Sequence, residues 1–344
     1  MRHVIHPVRW GVLGAAAIAV GRTMPAMLET PNASLVALAT RSLEKAADLA
    51  RVFRIERLYA TFDALLADKE IDAVYIPLPN AMHFEWSVAA LESGKHVLCE
   101  KPLCLSSAQV KQLCDTRDRT GLHIEEAFVY RNHPQWSTLK ELLSADAIGT
   151  VRAVHATLAK QFLDPADIRN KPDGGGGGLY DLGSYAISAC NLILARTPRR
   201  VVTALEYDPV FRIDRLSTAL LDYGDAHATL TVATQSGPNA WATHQQLTVL
   251  GSTGWLRMNF PFAQAKPIAC CIEIGDGNSV GSLPTSVISF EPVNQYARQI
   301  ERFSKYLLGE TVAHWDIEDA METLRTIEAI FQSAHTGGWK SLES

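Results

Sequence analysis

The sequence predicts an α/β protein in which an N-terminal, doubly wound parallel sheet is followed by a second α/β domain with a large open, mostly antiparallel sheet. Two observations carry this prediction. Short apolar runs alternate with helical patterns through the first third of the chain, as in parallel β/α units whose sheet is covered on both faces. Beyond that third, alternating runs such as RAVHATLAK and HATLTVATQ are typical of antiparallel strands.

Length and composition limit the number of domains. The chain has 344 residues, of which 47% are hydrophobic and 20% are charged. One ordinary hydrophobic core does not organise a chain of this length, so two domains are the default. We place the first domain at residues 1–129, where the alternating strand and helix patterns end, and the second at residues 130–344.

The elements of the first domain follow one another in a regular order. The opening strand, VRWGVL, leads through a small-residue turn into a helix that carries Met24 and Met27. Further strands are predicted at SLVALAT, around Tyr59, and at DAVYIPLP, KHVLCE and HIEEAFV, with helices at SLEKAADLARVF, FDALLADKE, residues 83–93 and SSAQVKQLCDTRDR. This alternation is that of a doubly wound dinucleotide-binding sheet.

The second domain is predicted from a different pattern. The runs RAVHATLAK, RVVTALEY, STALLDY, HATLTVATQ and HQQLTVLGS indicate antiparallel strands, with GSTG as a tight turn before WLRMNFPF. Two C-terminal segments, NQYARQIERFSKYLLG and IEDAMETLRTIEAIFQSAHTG, have apolar residues at helical spacing. We expect both helices to pack as scaffold of this domain.

Charge and hydropathy exclude some classes of partner. The formal net charge is −5, and the densest basic cluster, RTPRR, is short and interrupted by a proline, unlike a nucleic-acid-binding surface. The N-terminal run GVLGAAAIAVG is far shorter than the ~20 residues of a membrane span, and its removal as a signal peptide would delete the first strand. We expect a cytoplasmic protein without nucleic-acid or membrane partners.

The cysteines are predicted to be structural. None of the six forms a C-x-x-C pair, and none has a histidine spacing suited to zinc. This usage is typical of reduced thiols in the cytosol, so we expect no metal site. Cys99 and Cys104 flank the segment Glu100-Lys101-Pro102, and a reactive thiol is the alternative interpretation for one of them.

The turn after the first strand is a candidate phosphate-binding loop. GAAAIA, at residues 14–19, is a variant of G-x-G-x-x-G/A with alanine at the second glycine position. In such loops, backbone N–H groups at the start of a helix face a pyrophosphate, and small side chains let it approach. Gly14, Ala16, Ala17 and Ile18 are therefore candidate cofactor contacts. The alternative is a small-residue turn that serves packing alone.

The end of the second strand bears on the choice of nicotinamide cofactor. An NAD site usually has an Asp or Glu there to accept hydrogen bonds from the ribose hydroxyls, and this chain has none before Glu44. Arg41 instead suits a 2′-phosphate, with Thr40 and Ser42 as hydroxyl donors. We expect NADP as the cofactor; NAD is the alternative, in which Arg41 is only an exposed charge.

Two further segments carry groups suited to proton transfer. In GGGGGLYDLGSY, a five-glycine run opens into Asp181 and Tyr185, which one turn of helix would place on the same face. Lys101 follows the strand KHVLCE at the carboxyl edge of the sheet, and Pro102 keeps it out of a helix. The alternatives are a glycine linker, an aspartate that caps a helix and a solvated lysine.

Together these segments resemble the Gfo/Idh/MocA oxidoreductase family. The resemblance covers nearly the whole chain in the family's order, through WGVLGAAAIA, ATRSLEKA, YIPLPNAMHFEW, GKHVLCEKPL, EAFVYRNHP, GGGLYDLGSYAI, LGSTGWL and DIEDAMETLRTIEAIFQSA. It implies an N-terminal Rossmann domain and a C-terminal domain whose sheet covers the nicotinamide and commonly forms a subunit interface. A homodimer or homotetramer through that sheet is the implied assembly.

The resemblance also implies roles for individual residues. The family's EKP lysine corresponds to Lys101, and its D-x-G-x-H/Y segment begins at Asp181 and ends at Tyr185. Many members have histidine at the last position. Tyrosine there is similar to the branch with glucose-fructose oxidoreductase, xylose dehydrogenase, dimeric dihydrodiol dehydrogenase and sugar ketoreductases. Further cofactor contacts are implied at Pro77, Leu78, Asn80, His83, Glu100 and Arg131. For His83, a histidine at a helix start with a structural hydrogen bond is the alternative.

Chemistry agrees with these assignments. Oxidation of a secondary alcohol requires loss of the hydroxyl proton as a hydride leaves the same carbon for the nicotinamide. Free tyrosine titrates at about pH 10, and a neighbouring ammonium favours its phenolate. We assign Tyr185 as the acid/base, Lys101 as its electrostatic partner, and Asp181 as a partner of that lysine or of a substrate hydroxyl.

The leading hypothesis is an NAD(P)-dependent oxidoreductase that acts on a secondary alcohol or ketone of a sugar or cyclic polyol. Two other functions stay open: a redox-neutral glycosidase that keeps its cofactor bound, and a non-catalytic dinucleotide sensor. Retention of Lys101, Asp181 and Tyr185 favours an enzyme over a sensor. The particular sugar depends on second-domain loops such as residues 162–173, whose geometry the sequence does not specify.

Overall fold

The computed structural model describes residues 6–236, 243–264, 266–278 and 283–342. The chain forms two compact units. The first comprises Met1–Val129 and Asn294–Met321, and the second comprises Tyr130–Val293 and Glu322–Ser344. Each unit is built around its own sheet, one parallel and one mostly antiparallel, so the predicted α/β fold class is confirmed.

The first unit contains a parallel sheet of six strands. These are β1 Val8–Leu13, β2 Ala33–Ala39, β3 Arg57–Tyr59, β4 Ala73–Ile76, β5 His96–Cys99 and β6 Ile124–Glu126. The connecting helices are α1 Met24–Glu29, α2 Leu43–Phe53, α3 Phe62–Leu66, α4 Asn80–Glu92 and α5 Ser107–Thr120. The strand order is β3-β2-β1-β4-β5-β6, which reverses between β1 and β4 as in a doubly wound dinucleotide-binding sheet.

Local sequence signals set the ends of several helices. The Thr61 hydroxyl accepts a hydrogen bond from the Ala64 N–H at 3.2 Å and caps α3. Ser106 caps α5 in the same way, and Gly121 ends that helix with a φ of 67°, in the left-handed region that glycine adopts without strain. Within the described ranges, no helix is long and apolar enough to cross a membrane.

Helix α8, Gln295–Leu307, also belongs to the first unit, because its apolar face enters the core of that unit. Ile300 and Phe303 lie in this core beside Trp10, whose indole N–H donates to the Ser304 hydroxyl at 3.2 Å. The sequence order favours the second domain for this helix, because it follows that domain's strands. Helical periodicity identifies an apolar face but does not specify which sheet the face covers.

The second unit contains a sheet of nine strands. These are β7 Val151–Ala159, β8 Arg200–Tyr207, β9 Asp214–Asp222, β10 His227–Ala233, β11 His244–Gly251, β12 Gly254–Asn259, β13 Cys270–Asp276, β14 Ser286–Phe290 and β15 Lys340–Ser341. Their order is β14-β13-β12-β11-β7-β10-β9-β8-β15, antiparallel except for the parallel pair β7 and β10. The sequence patterns do not predict β13, β14 or β15.

Three helices accompany this sheet, and they leave one of its faces exposed. They are α6 Pro134–Ser144, α7 Ser184–Leu194 and α9 Glu318–Thr336, the last of which begins in the first unit. On β10, Ala228 and Leu230 are buried on the side against which α7 packs. Threonines line the opposite side, where the hydroxyls of Thr218 and Thr231 lie 3.2 Å apart.

A buried ion pair fastens α8 to the parallel sheet. Glu125 on β6 has no exposed surface and accepts hydrogen bonds from Arg302 through both carboxylate oxygens, at 2.9 and 2.5 Å. His123 Nε2 lies 2.8 Å from the same carboxylate. Burial alone raises the pKa of Glu125, but the hydrogen bonds and charges of Arg302 and His123 outweigh it and lower the pKa to about 2.

We expect Glu125→Gln to lower the free energy of unfolding by about 3 kcal/mol near neutral pH, because Arg302 would remain buried without its counter-ion. An unfolded glutamate has a pKa of about 4.3, so this carboxylate stabilises the fold above that pH and loses its effect as the pH falls towards about 2. The difference between wild type and variant should therefore shrink over that acidic range. Urea titrations at each pH measure it.

Glu92→Gln is the matched control for this experiment. Its ion pair with Arg119, at 2.7 Å, lies at the surface, where such pairs contribute at most about 1 kcal/mol. Equal losses in the two variants, or a loss in Glu125→Gln that does not change with pH, would contradict the role of the buried pair.

Candidate functional site

The candidate cofactor residues of the first unit follow four strands of its parallel sheet. Gly14 follows β1, Thr40 follows β2, Pro77 follows β4 and Glu100 follows β5. Because parallel strands end at the same edge of their sheet, the four turns lie at one edge, on both sides of the switch point between β1 and β4. Residues from separate parts of the sequence thus meet at the edge where doubly wound proteins bind their ligands.

The turn after β1 has the properties of an anion-binding loop. Gly14 has a φ of +103°, and a Cβ at this position would lie 3.0 Å from Leu78 Cδ2, so glycine is the residue that fits. Helical geometry begins at Ala17, and no acidic side chain lies in the turn that follows. Ala16 and Ile18 are half-buried and Ala17 is exposed. No acidic side chain of this turn therefore repels an anion at its backbone N–H groups, and the residues fit a pyrophosphate.

The turn after β2 has a positive side chain and two hydroxyls. The backbone N–H of Thr40 donates to the Tyr59 carbonyl at 3.0 Å, which ties the end of β2 to β3. Arg41 is exposed and Ser42 is half-buried, and the first acidic side chain beyond them is Glu44 in the first turn of α2. This set suits a 2′-phosphate better than a pair of ribose hydroxyls.

His83 is a buried link between two of these turns. It has no exposed surface, and its Nδ1 and Nε2 lie 2.7 Å from the Pro102 carbonyl and 2.8 Å from the Leu78 carbonyl. Burial lowers the pKa of His83, although the two carbonyls raise it. The resemblance implies a cofactor contact, whereas the two carbonyls, to one of which a neutral imidazole donates, place His83 between the turn after β4 and the turn after β5. Nearby, Pro77 is buried and Asn80 is half-buried.

Glu100 and Lys101 follow β5 directly. The Tyr75 hydroxyl donates to Glu100 Oε1 at 2.5 Å, which fixes the carboxylate. Lys101 is half-buried and is joined to Pro102 by a cis peptide bond. The strand end thus presents a held carboxylate and an adjacent ammonium.

The two cysteines that flank this segment are packed in the interior of the first unit. Cys99 and Cys104 are free and buried, and burial raises the pKa of both, which disfavours the reactive thiolate. This agrees with their interpretation as packed side chains. In the part of the chain that the structure describes, no group of three or more His, Cys, Asp or Glu side chains is placed to hold a metal ion.

In the second unit, the glycine run opens into a helix as the sequence predicts. A π-helical turn, Leu179–Gly183, leads directly into α7, so Asp181 and Tyr185 lie on consecutive helical segments. The Tyr185 side chain is 8% exposed, and its ring centroid lies 5.8 Å from that of Tyr130 and 5.9 Å from that of Phe262. Aromatic packing on two sides limits the motion of the phenol.

Arg169 is a partner of Asp181 that no motif in the sequence indicates. Its Nε donates to Asp181 Oδ2 at 2.8 Å, and its guanidinium carbon lies 4.5 Å from the Phe162 ring centroid. The charges of Asp181 and, less strongly, of Asp167 raise the pKa of Arg169. We assign Asp181 to a lysine or a substrate hydroxyl from the sequence, whereas the structure pairs it with a guanidinium. The segment between the two residues consists of short helical turns and irregular chain, so no sequence periodicity predicts that they pair.

Arg131 lies in the second unit, in the 3-10 turn Val129–Asn132. Its Nη2 donates to the Ser188 hydroxyl at 2.7 Å, and the Tyr130 hydroxyl lies 2.8 Å from the same oxygen. Ser188 is on α7, three residues beyond Tyr185. The resemblance implies a cofactor contact for Arg131; in the structure its guanidinium braces the helix that carries the phenol.

Both candidate loops are followed by π-helical turns. One is Ala19–Thr23, after the glycine turn of the first unit, and the other is Leu179–Gly183, which contains Asp181. Such turns are rare in proteins and occur frequently at functional sites. Sequence periodicity does not distinguish them from ordinary helix, and we do not predict them.

Two family models match the chain. The model described as "Oxidoreductase family, NAD-binding Rossmann fold" matches residues 8–128, and the model described as "GFO/IDH/MocA C-terminal domain" matches residues 136–257. Together these matches cover more than half of the 344 residues. They correspond to the parallel sheet and to the greater part of the second sheet.

Known proteins are similar over nearly the whole chain. A D-xylose 1-dehydrogenase (NADP(+)) of Haloferax volcanii is 34% identical over 97% of this chain and 99% of its own length. A dTDP-3,4-didehydro-2,6-dideoxy-α-D-glucose 3-reductase of Streptomyces violaceoruber is 32% identical over 96% of both chains.

A solved structure extends the similarity to the fold. The 3-ketoreductase KijD10 of Actinomadura kijaniata, in complex with NADP and TDP-benzene, superposes with a TM-score of 0.86. Its sequence is 29% identical, and the match covers 95% of this chain and 98% of that one. The strand order, the two family models and these full-length similarities agree. The chain belongs to the Gfo/Idh/MocA family of oxidoreductases.

Proposed function

We propose that this chain transfers a hydride between NADP and a secondary alcohol or ketone of a sugar or a related cyclic polyol. The activities in the names of its relatives, an NADP-dependent xylose dehydrogenase and two sugar ketoreductases, support the reaction class and the cofactor. The observation in this chain that carries the proposal is Tyr185. Its phenol is held by aromatic packing on α7, four residues beyond Asp181, which pairs with Arg169.

The first unit supplies the groups suited to the cofactor. The turn at residues 14–18 suits the pyrophosphate, and Arg41 with Thr40 and Ser42 suits the 2′-phosphate. We assign Glu100, held by the Tyr75 hydroxyl, to the nicotinamide ribose. When bound, the cofactor would supply the hydride as NADPH in the reducing direction and accept it as NADP in the oxidising direction.

The second unit supplies the proton. In the reducing direction, the Tyr185 O–H donates its proton to the carbonyl oxygen of the substrate; in the oxidising direction, the phenolate takes the proton of the substrate hydroxyl. The Lys101 ammonium is assigned to favour the phenolate and to donate a hydrogen bond to the same substrate oxygen. Asp181, oriented by Arg169, accepts a hydrogen bond from a neighbouring hydroxyl of the sugar.

Solved structures of a relative include substitutions of the same two residue types. The structures of KijD10 include variants in which one lysine is replaced by alanine or glutamate and one tyrosine is replaced by phenylalanine. The two residues that we assign to proton transfer in this chain, Lys101 and Tyr185, are also a lysine and a tyrosine.

We expect Tyr185→Phe to reduce kcat at least 100-fold, because general acid–base groups contribute about 10²–10⁴-fold to such steps. The fold should be retained, since the phenyl ring keeps its contacts with Tyr130 and Phe262. The measurement is nicotinamide absorbance with NADP or NADPH across a panel of aldoses, ketoses and diols.

Tyr223→Phe is the matched control. Tyr223 is another buried phenol of the second unit, and its hydroxyl donates at 2.7 Å to Oδ1 of Asn191, six residues beyond Tyr185 on α7. Turnover in Tyr185→Phe equal to that of wild type would refute the acid/base assignment. Release of free sugar from a glycoside without a net change in absorbance would instead identify a redox-neutral glycosidase.

The cofactor preference should depend on Arg41. We expect Arg41→Ala to reduce kcat/KM for NADP by about 10- to 100-fold and to leave that for NAD nearly unchanged, because charge-assisted hydrogen bonds to a phosphate contribute about 1.5–3 kcal/mol. Arg51→Ala is the control, since this arginine is exposed on α2 and pairs with Asp48. Equal NADP preference in wild type and Arg41→Ala would overturn the assignment.

We also propose that a second copy of the chain covers the exposed face of the nine-stranded sheet. That face presents threonines together with apolar side chains such as Leu216, at 36% exposed, and Leu250, at 38%. Apolar groups on an open sheet face are typical of an interface. The family resemblance points to a homodimer or homotetramer.

We expect Thr218→Arg to convert this assembly into a monomer, because it places a charge and a long side chain on this face, at the middle of β9. Light scattering coupled to gel filtration measures the mass. Thr311→Arg, an exposed position in the first unit, is the control. A monomeric wild type, or an unchanged mass for Thr218→Arg, would refute the proposed interface.

We assign the protein to the cytoplasm. All six cysteines are free thiols, and four of them are buried. Free thiols in this number persist in a reducing compartment.

A further inference from the structure

Asp214 is a buried carboxylate to which the proposed chemistry gives no role. It begins β9 and is 3% exposed, and its Oδ2 accepts a hydrogen bond from the backbone N–H of Leu179 at 2.6 Å. Burial raises the pKa of Asp214, and hydrogen bonds from the backbone N–H groups of Leu179 and Gly178 lower it. Burial has the larger effect, so the pKa is raised to about 7. Burial of a carboxylate lowers the free energy of unfolding unless other interactions compensate for it. The position of Asp214 therefore indicates a role for this side chain.

The glycine run is shaped around this carboxylate. Gly177 has a φ of +110°, and a Cβ at this position would overlap Asp214 Oδ1. A Cβ at Gly178 would lie 3.3 Å from Asp214 Oδ2, and one at Gly176 would lie 2.5 Å from the Arg169 carbonyl oxygen. These glycines are therefore positions of close approach rather than a flexible linker.

The helix that carries Asp181 and Tyr185 has no cap of its own. Gly178 precedes its first turn and provides no side chain to accept a hydrogen bond. The first N–H groups of a helix need acceptors, and here an acceptor comes from Asp214, 35 residues along the chain. A carboxylate at this end also interacts favourably with the helix dipole.

The same turn holds Arg169. The backbone N–H of Gly177 donates to the Arg169 carbonyl at 2.9 Å, and the Arg169 side chain donates to Asp181. Asp214 thus restrains the glycine turn, and the turn restrains both members of the Asp181–Arg169 pair. A displacement of Gly177 would therefore move both the backbone of Arg169 and the helical turn that carries Asp181.

We propose that Asp214 is a positioning residue for the proton transfer assigned to Tyr185, and that it acts by binding the backbone at the start of the helix that presents Asp181 and Tyr185. Asp214 touches neither substrate nor cofactor in this role. The inference rests on the proposed function of Tyr185. It concerns kcat rather than binding of the cofactor, for which the candidate residues other than Arg131 lie in the first unit.

The test compares Asp214→Asn and Asp214→Ala. The asparagine keeps the shape and one oxygen that accepts from the Leu179 N–H, whereas alanine removes both. We expect kcat to fall 10- to 100-fold in Asp214→Ala, since small misplacements of reacting groups have effects of about this size. Asp214→Asn should recover at least half of that loss on a logarithmic scale. KM for NADP should stay within twofold in both variants.

Asp222→Asn is the matched control. This aspartate ends the same strand and also accepts a backbone hydrogen bond, from Gly224 at 2.8 Å, but it does not contact the glycine run. A residue that only stabilises the fold would lower the melting temperature and leave kcat per folded molecule unchanged, as we expect for Asp222→Asn. Hydrogen exchange of the peptide spanning residues 174–186 should be faster in Asp214→Ala than in this control.

A double variant tests whether Asp214 acts through the tyrosine. If it does, Asp214→Ala combined with Tyr185→Phe should be no slower than Tyr185→Phe alone. Losses that multiply in the double variant would overturn the inference. So would wild-type kcat in both Asp214 variants. If Asp214→Ala does not fold, Asp214→Leu takes its place, because leucine has a similar volume and no oxygen to accept from the Leu179 N–H. Wild-type kcat in that variant overturns the inference.

The proposed function and the inference fail in different ways. Unchanged kcat in the Asp214 variants, with a large loss in Tyr185→Phe, removes the role of Asp214 and leaves the reaction in place. Full activity in Tyr185→Phe removes the acid/base assignment and, with it, the positioning role.

Discussion

Parallel strand pairing is the constraint on which the candidate cofactor site depends. It brings the carboxyl ends of β1, β2, β4 and β5 to one edge of the first sheet, so residues far apart in sequence share one surface. The side chains then adapt to that edge. His83 joins the turns after β4 and β5, and Tyr75 fixes Glu100. Strand order therefore determines which residues meet at this edge, and their side chains determine its chemistry.

Much of this edge can be predicted from the sequence, because each signal is local. The end of an apolar run indicates the end of a strand. Arg41 and Lys101 lie within two residues of such ends, so the sequence places both at the edge of the sheet. The glycine run before Asp181 is also visible. What the pattern leaves open is why glycine is needed there, since linkers and close-approach turns have the same composition.

The contacts that the sequence does not predict join distant segments. Arg169 reaches Asp181 across an irregular loop, and Asp214 reaches Leu179 from the start of a strand. Neither contact follows from periodicity, because both depend on how the turns fold against each other. The same holds for α8, whose apolar face is evident in the sequence but whose partner, the core around Trp10, is not.

The location of α8 has a consequence for biosynthesis. The core around Trp10 includes Phe303 and Leu307, so the nucleotide-binding half lacks part of its interior until the ribosome has translated residues 295–307. By then the strands of the other half, except β15, have already been made. A nascent chain that stops at residue 129 would carry an open apolar surface, which a chaperone can bind or which can drive aggregation.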